Sequence, residues 1–325
     1  MASIDVEPEY GYATRIAYAT GKVRLTYGND VGLNSSAASA LLRNKADTKH
    51  FLALAGFSTP AGSAFMLRWR ADQLRPPLAA RGFTAIRTVD QIPGYIDQEL
   101  GFPVYLKPAD GAQGGGVWRC NTDSEVRSVI EDYEHRRVRV VLVEEAVDLP
   151  DYRVVILHGR LLSAYRRIPL SVTGDGVSTV DELLARLQQR FTAEGRDTRV
   201  PIDDDRLAAR LARLGKTRQT VPSAGETVQL LDISNLSAGG TAIDATDDIA
   251  ARWIELAADI ADTFGLSFCG IDFACREIKD SDGPYGILEL NTAPGLDHYA
   301  AVGEVQRQRV RDMYLRVFDE PPGEE

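Results

Sequence analysis

Apolar residues recur along this chain at two spacings. From Ala37 to Ala55, Leu41, Leu42, Phe51, Leu52 and Leu54 are apolar, with Lys45, Asp47 and Lys49 between them. That pattern predicts one helix over 37–55, stopped by Gly56, with Pro60 marking the break. The same period predicts helices over Ser124–Tyr133, Asp181–Phe191, Arg206–Leu214 and Ile249–Phe264. Period two predicts a strand over Pro103–Pro108, a second strand follows the glycine loop at Val117–Arg119, and the apolar run Val138–Val143 reads as a third. Arg153–Leu157 and Leu161–Tyr165 read as a hairpin turned at His158-Gly159. Gly270–Arg276 and Tyr285–Asn291 read as a strand pair joined by a polar turn at Lys279–Gly283. Residues 61–90 read as short apolar stretches between turns, with a loop at Pro76-Pro77. Residues 1–40 show turn residues at Gly28, Asn29, Asp30 and Gly32 but no clear element, and 215–243 is a long, glycine-punctuated stretch. The mixture predicts an α+β fold of packed subdomains.

Composition narrows the function. The 325 residues are 44% hydrophobic and 26% charged, which excludes a disordered chain. Lys and Arg number 37 against 47 Asp and Glu, and the net charge of −10 argues against non-specific nucleic-acid binding. Cys120, Cys269 and Cys275 form no C-x-x-C pair, so neither a disulfide framework nor a zinc knuckle is expected. Met1 to Tyr10 lacks a signal pattern, and no apolar run approaches a membrane span, so a cytoplasmic chain without membrane contact is expected.

The strongest local chemistry lies in the last strand pair. Alternation puts Glu289 and Asn291 on one face and Leu288 and Leu290 on the other. A turn centred near Asp280 and Ser281 sets Asp272 opposite Glu289. Two carboxylates and an amide oxygen on one face suit a hard cation such as Mg²⁺; a solvated sheet face would read the same way. Lys107 ends a strand beside the glycine loop 111–116, whose amides could cradle an anion; a surface lysine beside a mobile turn is the bland alternative. Glu144-Glu145 closes another strand, and Arg166-Arg167 ends a further one. Walker A, G-x-G-x-x-G after a strand and G-x-S-x-G are all absent.

In their order, these segments resemble the ATP-grasp superfamily of carboxylate–amine ligases. The series is Asn44-Lys45, Val104-Tyr-Leu-Lys107-Pro, the glycine loop, Val143-Glu-Glu-Ala-Val147, Gly270-Ile-Asp272 and Leu288-Glu-Leu-Asn291. Val172-Thr-Gly-Asp-Gly-Val177 and Asn235-Leu-Ser-Ala-Gly-Gly closely resemble the ATP-grasp module of cyanophycin synthetases and bifunctional glutathione synthetases. The resemblance covers roughly residues 40–300.

The resemblance implies an ATP-grasp fold, with two α+β subdomains clasping ATP and a short N-terminal region. Its divisions would be an N-terminal region 1–85, a lid subdomain 86–146, a metal-bearing subdomain 147–318 and a frayed tail 319–325. Lys45 and Lys107 would contact the ATP phosphates, under a lid that includes Gly114, Gly115 and Gly116. Gln113 and Gly115 stand in that lid where the family tends to have His and Arg. Glu144 and the backbone around Glu145, Ala146 and Val147 would bind adenine, and Asp151 the ribose. Asp272, Glu289 and Asn291 would hold two Mg²⁺, with Mn²⁺ as the alternative metal. Arg153 and Arg167 would bind the acyl donor or acyl-phosphate, and Asn235 would line the site where carboxylate meets amine. The implied partners are a small-molecule or peptide carboxylate and an amine acceptor. Relatives are often dimers or tetramers, so a homo-oligomer is compatible with the resemblance. A non-catalytic ATP-binding regulator and a kinase of the same fold are the alternative functions.

Overall fold

A computed structural model describes residues 1–83, 85–111, 114–196, 198–319 and 321–322. The unassigned N-terminus forms an antiparallel meander of β1 (Ser3–Val6), β2 (Ala13–Ala17) and β3 (Val23–Tyr27). The expected turn follows it, where Asp30 accepts the N–H of Gly32 at 2.9 Å.

The single helix predicted over 37–55 is two, α1 (Ser36–Leu42) and α2 (Lys45–Leu54). Asn44 breaks it. Its side-chain oxygen accepts the N–H groups of Ala46 and Asp47, at 3.0 and 3.3 Å, and so caps a new helix. The break sets Lys45 at the first position of α2, facing the cleft.

β4 (Gly62–Met66) and α3 (Arg68–Ala79) follow. Pro76 and Pro77 lie inside α3 rather than in the predicted loop. They occupy its last turn, where a proline carbonyl still accepts: Ala80 N–H reaches Pro76 O at 3.1 Å. The short α4 (Ile92–Tyr95) leads to β5 (Val104–Pro108), β6 (Trp118–Cys120), α5 (Asp123–His135) and β7 (Val140–Glu145). These strands form one antiparallel sheet in the order β4-β7-β5-β6. Alternation in β5 buries Val104 and Leu106 against Phe65, Val126, Val129 and Tyr133.

The second sheet begins with the predicted hairpin, β8 (Asp151–Leu157) and β9 (Arg160–Ile168). Before the chain returns to this sheet, residues 169–240 build a satellite unit. It holds β10 (Ser171–Thr173), α6 (Val180–Ala193), α7 (Asp205–Arg213) and β11 (Thr227–Gln229) around Leu184, Phe191, Leu207, Leu211 and Val228. Thr179 and Glu182 form a capping box at the start of α6. β11 and most of β12 (Thr241–Asp244) fall in the glycine-punctuated stretch 215–243, where no element was predicted. Short edge strands carry too few residues for period two to show.

α8 (Ala251–Thr263), β13 (Phe268–Cys275) and β14 (Tyr285–Asn291) complete a five-stranded antiparallel sheet, ordered β12-β9-β8-β13-β14. α8 covers one face through Trp253, Ala257 and Ile260, packed with Val154, Ile156, Ile271 and Phe273. On the other face sit α9 (Asp297–Ala300) and α10 (Glu304–Asp319), whose Tyr299, Val310, Met313 and Val317 pack with Val155, Leu157, Tyr165 and Phe268. α10 was not foreseen, and Asp319 ends it rather than starting the frayed tail. Glu320 and residues 323–325 of that tail lie outside the described residues.

Candidate active site

The register of the large sheet sets one row of side chains across all five strands. Asp244 pairs with Tyr165, Tyr165 with Arg153, Arg153 with Asp272, and Asp272 with Glu289. The predicted partnership of Asp272 and Glu289 is therefore present. Strict alternation beyond it is not. The register slips between Asp272 and Phe273, which pairs with Ile287 and leaves Leu288 as an extra residue. Leu288 consequently lines the cleft beside Glu289 instead of facing away.

Asp272 is buried and gripped by two guanidinium groups. Arg153 Nε and Nη2 donate to Oδ1 and Oδ2 at 2.6 and 2.8 Å, and Arg167 Nη1 lies 2.8 Å from Oδ2. Arg167 also holds Asp151, with Nη2 at 2.8 and 2.9 Å from its two oxygens. Burial works against the charged form of Asp272, but Arg153 and Arg167 outweigh it and hold the carboxyl below its usual range. For Asp151 burial wins over Arg167 and the carboxyl is raised.

A second set of ion pairs lies across the cleft. Lys107 of β5 pairs with Glu144 of β7, which also takes Lys49 Nζ of α2 at 2.9 Å. Burial opposes the Glu144 charge, yet Lys107 and Lys49 together hold its carboxyl below the ordinary value. Lys45 Nζ lies 3.0 Å from Glu289 Oε1 and donates to Gly111 O, so it ties the lid loop to the large sheet.

Between the two sheets lies a cavity of about 180 Å³, lined by Lys45, Lys107, Glu144, Glu145, Val147 and Asp151. Arg167, Asn235, Asp272 and Glu289 line it too, and Gly114 contributes from the lid. A wider cavity of about 800 Å³ shares Val147, Asp151 and Arg167 with it and adds Ala146. Gly116 instead lines a cavity of about 630 Å³ behind the lid, and Gly115 is exposed. Ala112 and Gln113 lie outside the described residues. Arg153 and Asn291 stand beside the cleft, through Asp272 and through the Gly270–Asn291 pair.

Three residues of this site were not singled out from sequence. Lys49 was readable, since it lies one turn beyond Lys45 on the same helix face. Tyr105, whose hydroxyl donates to Asp232 O at 3.2 Å, and Asp232, paired with Arg210 at 3.2 Å, gave no signal.

Among the described residues, no group of three or more His, Cys, Asp or Glu side chains is arranged to hold a metal ion. The expected set has only two carboxylates and completes itself with an amide. One observation bears on its fit: the Asn291 side-chain nitrogen is buried without a hydrogen-bond partner. Turning that amide over would put its oxygen in the orphaned position, a hard donor beside Asp272 and Glu289. The donor types fit a divalent cation, which would have to share Asp272 with the guanidinium groups of Arg153 and Arg167.

No family model matches the chain. It is 32% identical over 290 residues to the cyanophycin synthetase of Geminocystis herdmanii, covering 86% of this chain and 30% of that protein. It is 28% identical over 279 residues to the glutathione biosynthesis bifunctional protein GshAB of Mannheimia succiniciproducens, covering 82% of this chain and 34% of that one. The chain thus spans about a third of the length of these curated relatives. The bifunctional glutathione synthetase of Pasteurella multocida superposes with a TM-score of 0.57 at 20% identity, over 97% of this chain and 42% of that one.

Proposed function

Because the chain belongs to the ATP-grasp superfamily, we propose that it joins a carboxylate to an amine at the expense of ATP. The observation that carries this reading is the cleft itself. Lys45, Lys107, Asp272 and Glu289 converge on one cavity between two sheets, as the resemblance requires.

On this reading a substrate carboxylate oxygen attacks the γ-phosphorus of ATP. The bond to the β-phosphate oxygen breaks, giving an acyl-phosphate and ADP. The amine then attacks the acyl carbon, loses a proton, and expels phosphate as the amide forms. A carboxylate is a poor electrophile, and phosphorylation supplies its leaving group. The chain's task is positioning and neutralising charge. Lys45 and Lys107 would take phosphate oxygens, and Arg153 and Arg167 the acyl donor or acyl-phosphate. Glu144, with the backbone of Glu145, Ala146 and Val147, would take adenine, and Asp151 the ribose. Asp272, Glu289 and Asn291 would hold Mg²⁺ or Mn²⁺, which when bound neutralises phosphate charge. Gly114, Gly115 and Gly116 belong to the lid that keeps water from the acyl-phosphate. Asn235 would face the meeting point of carboxylate and amine.

Arg153 and Arg167, both at Asp272, are the groups that would take an amino-acid or peptide carboxylate as donor. The chain would divide at residues 85, 146 and 318, with β4 reaching from the first part into the lid sheet. Among the described residues no helix is long and apolar enough to cross a membrane. A cytoplasmic location and a homo-oligomer complete the proposal.

The test is ADP and phosphate release with Mg²⁺-ATP against pooled amino acids and dipeptides, with mass spectrometry of the products. A product equal to two substrates minus water, lost in Glu289→Gln, is expected. A substrate that gains only a phosphoryl group would make the protein a kinase. ATP binding without turnover on any acid tested would favour a regulator.

A further inference from the structure

The satellite unit of residues 169–240 reaches the lid with a charged side chain. Arg206, in the first turn of α7, donates from Nη1 to Gly114 O at 2.6 Å and to Val117 O at 3.3 Å. The rest of its guanidinium is committed elsewhere. Asp204 accepts Nε at 2.9 and 3.1 Å and Nη2 at 2.6 Å. Asp204 is itself fixed as the cap of α7, taking the Arg206 N–H at 2.9 Å. The pair is mostly buried, with side chains 17% and 18% exposed. Arg206 is therefore held rigidly by its own neighbour and spends its free edge on the lid.

The lid is also pressed from a second side. Gly114 has φ of +68°, and a Cβ built on it would lie 2.3 Å from Asn235 Nδ2 and 2.6 Å from Ile233 Cδ1. Arg206, Ile233 and Asn235 all belong to residues 169–240, so one unit supplies both the latch and the wall.

We propose that Arg206 is a positioning residue that sets the lid for the phosphates, an inference that rests on the nucleotide site proposed above. The C=O and N–H of one peptide unit point in opposite directions. Holding Gly114 O against Arg206 turns the Gly115 N–H to the other side of the loop, toward the cleft that Gly114 lines. Losing the latch costs the charge-assisted bond and lets the amide rotate out of register. The effect is felt by the phosphate tail of a nucleotide and not by its base and sugar.

The experiment compares Mg²⁺-AMPPNP with adenosine, each titrated calorimetrically into wild type, Arg206→Gln and Gly114→Ala. Arg206→Gln is expected to weaken AMPPNP roughly ten-fold or more, with adenosine unchanged. Gly114→Ala disturbs the same loop from its Asn235 side and is expected to give the same selective loss, so it carries the test if Arg206→Gln does not fold. Equal losses for both ligands, or none for AMPPNP, would overturn the latch. Failure of wild type to bind either ligand would instead overturn the nucleotide site on which it rests.

Discussion

Lys49 of α2 reaches Glu144 of β7 at 2.9 Å, on the carboxylate that Lys107 also holds. A helix outside the lid sheet thereby pins a strand inside it. Both partners are largely buried, at 15% and 5% exposure. Lys49→Met is expected to cost about 3 kcal/mol of folding stability, because a buried carboxylate loses one of two cations. Urea unfolding measures this. Lys107→Met is expected to cost a similar amount and also to weaken nucleotide binding. Equal nucleotide affinity in the two variants would remove Lys107 from the phosphate site.

The two carboxylates of the proposed metal site should respond differently. Glu289 is about a third exposed and pairs with Lys45. Glu289→Gln is expected to abolish ATP turnover while changing stability by less than about 1 kcal/mol. Asp272→Asn leaves Arg153 without its buried counter-charge and Arg167 with Asp151 alone, and should lower stability by roughly 3–5 kcal/mol as well as stop turnover. Phosphate release and thermal melting on both variants separate the effects. Retained activity in both would sink the metal assignment.

Acid should weaken the fold through Glu144 and Asp272, whose carboxyls are held below their ordinary values by their cations against the pull of burial. Their contribution is fully present above the ordinary carboxylate pKa, near 4, and is lost as pH falls through the lower folded values. Asp151, raised by burial, acts with the opposite sign: its contribution is lost as pH rises through its folded value. Stability in urea is therefore expected to be nearly level between about pH 7 and 5 and to fall below about 4. In Lys49→Met the fall should begin at higher pH, since Glu144 loses part of its depression.

The three thiols should be inert in the folded chain. Cys120, Cys269 and Cys275 are buried, and burial pushes each up to about 12. A chromogenic disulfide reagent at about pH 8 is expected to find no reactive thiol in native protein, and all three after denaturation. Rapid native labelling would mean that these strands open.

Much of the site was legible because its residues sit on regular elements. The pairing of Asp272 with Glu289 followed from period two and one turn centre, and the register confirms it. Lys107 ended a strand that alternation had located, and Glu144 one located by its apolar run. The failures have local causes. Leu288 turned into the cleft because a bulge consumes one residue, which periodicity cannot register. The break at Asn44 was hidden because a capping side chain can end one helix and begin another without interrupting the apolar pattern. Arg206 lay within a predicted helix, yet its bond to Gly114 spans 92 positions, and no local pattern encodes such a contact.

The ion pairs of the cleft carry a consequence for how a ligand enters it. Lys45, Lys49, Lys107, Arg153 and Arg167 already face Glu144, Asp151, Asp272 and Glu289. An arriving triphosphate finds few idle charges. On the proposed reading it would take lysines that carboxylates release, so its affinity would be a difference between two sets of partners and not the sum of new ones. The same pairs keep the acidic groups of the cleft from driving the two sheets apart.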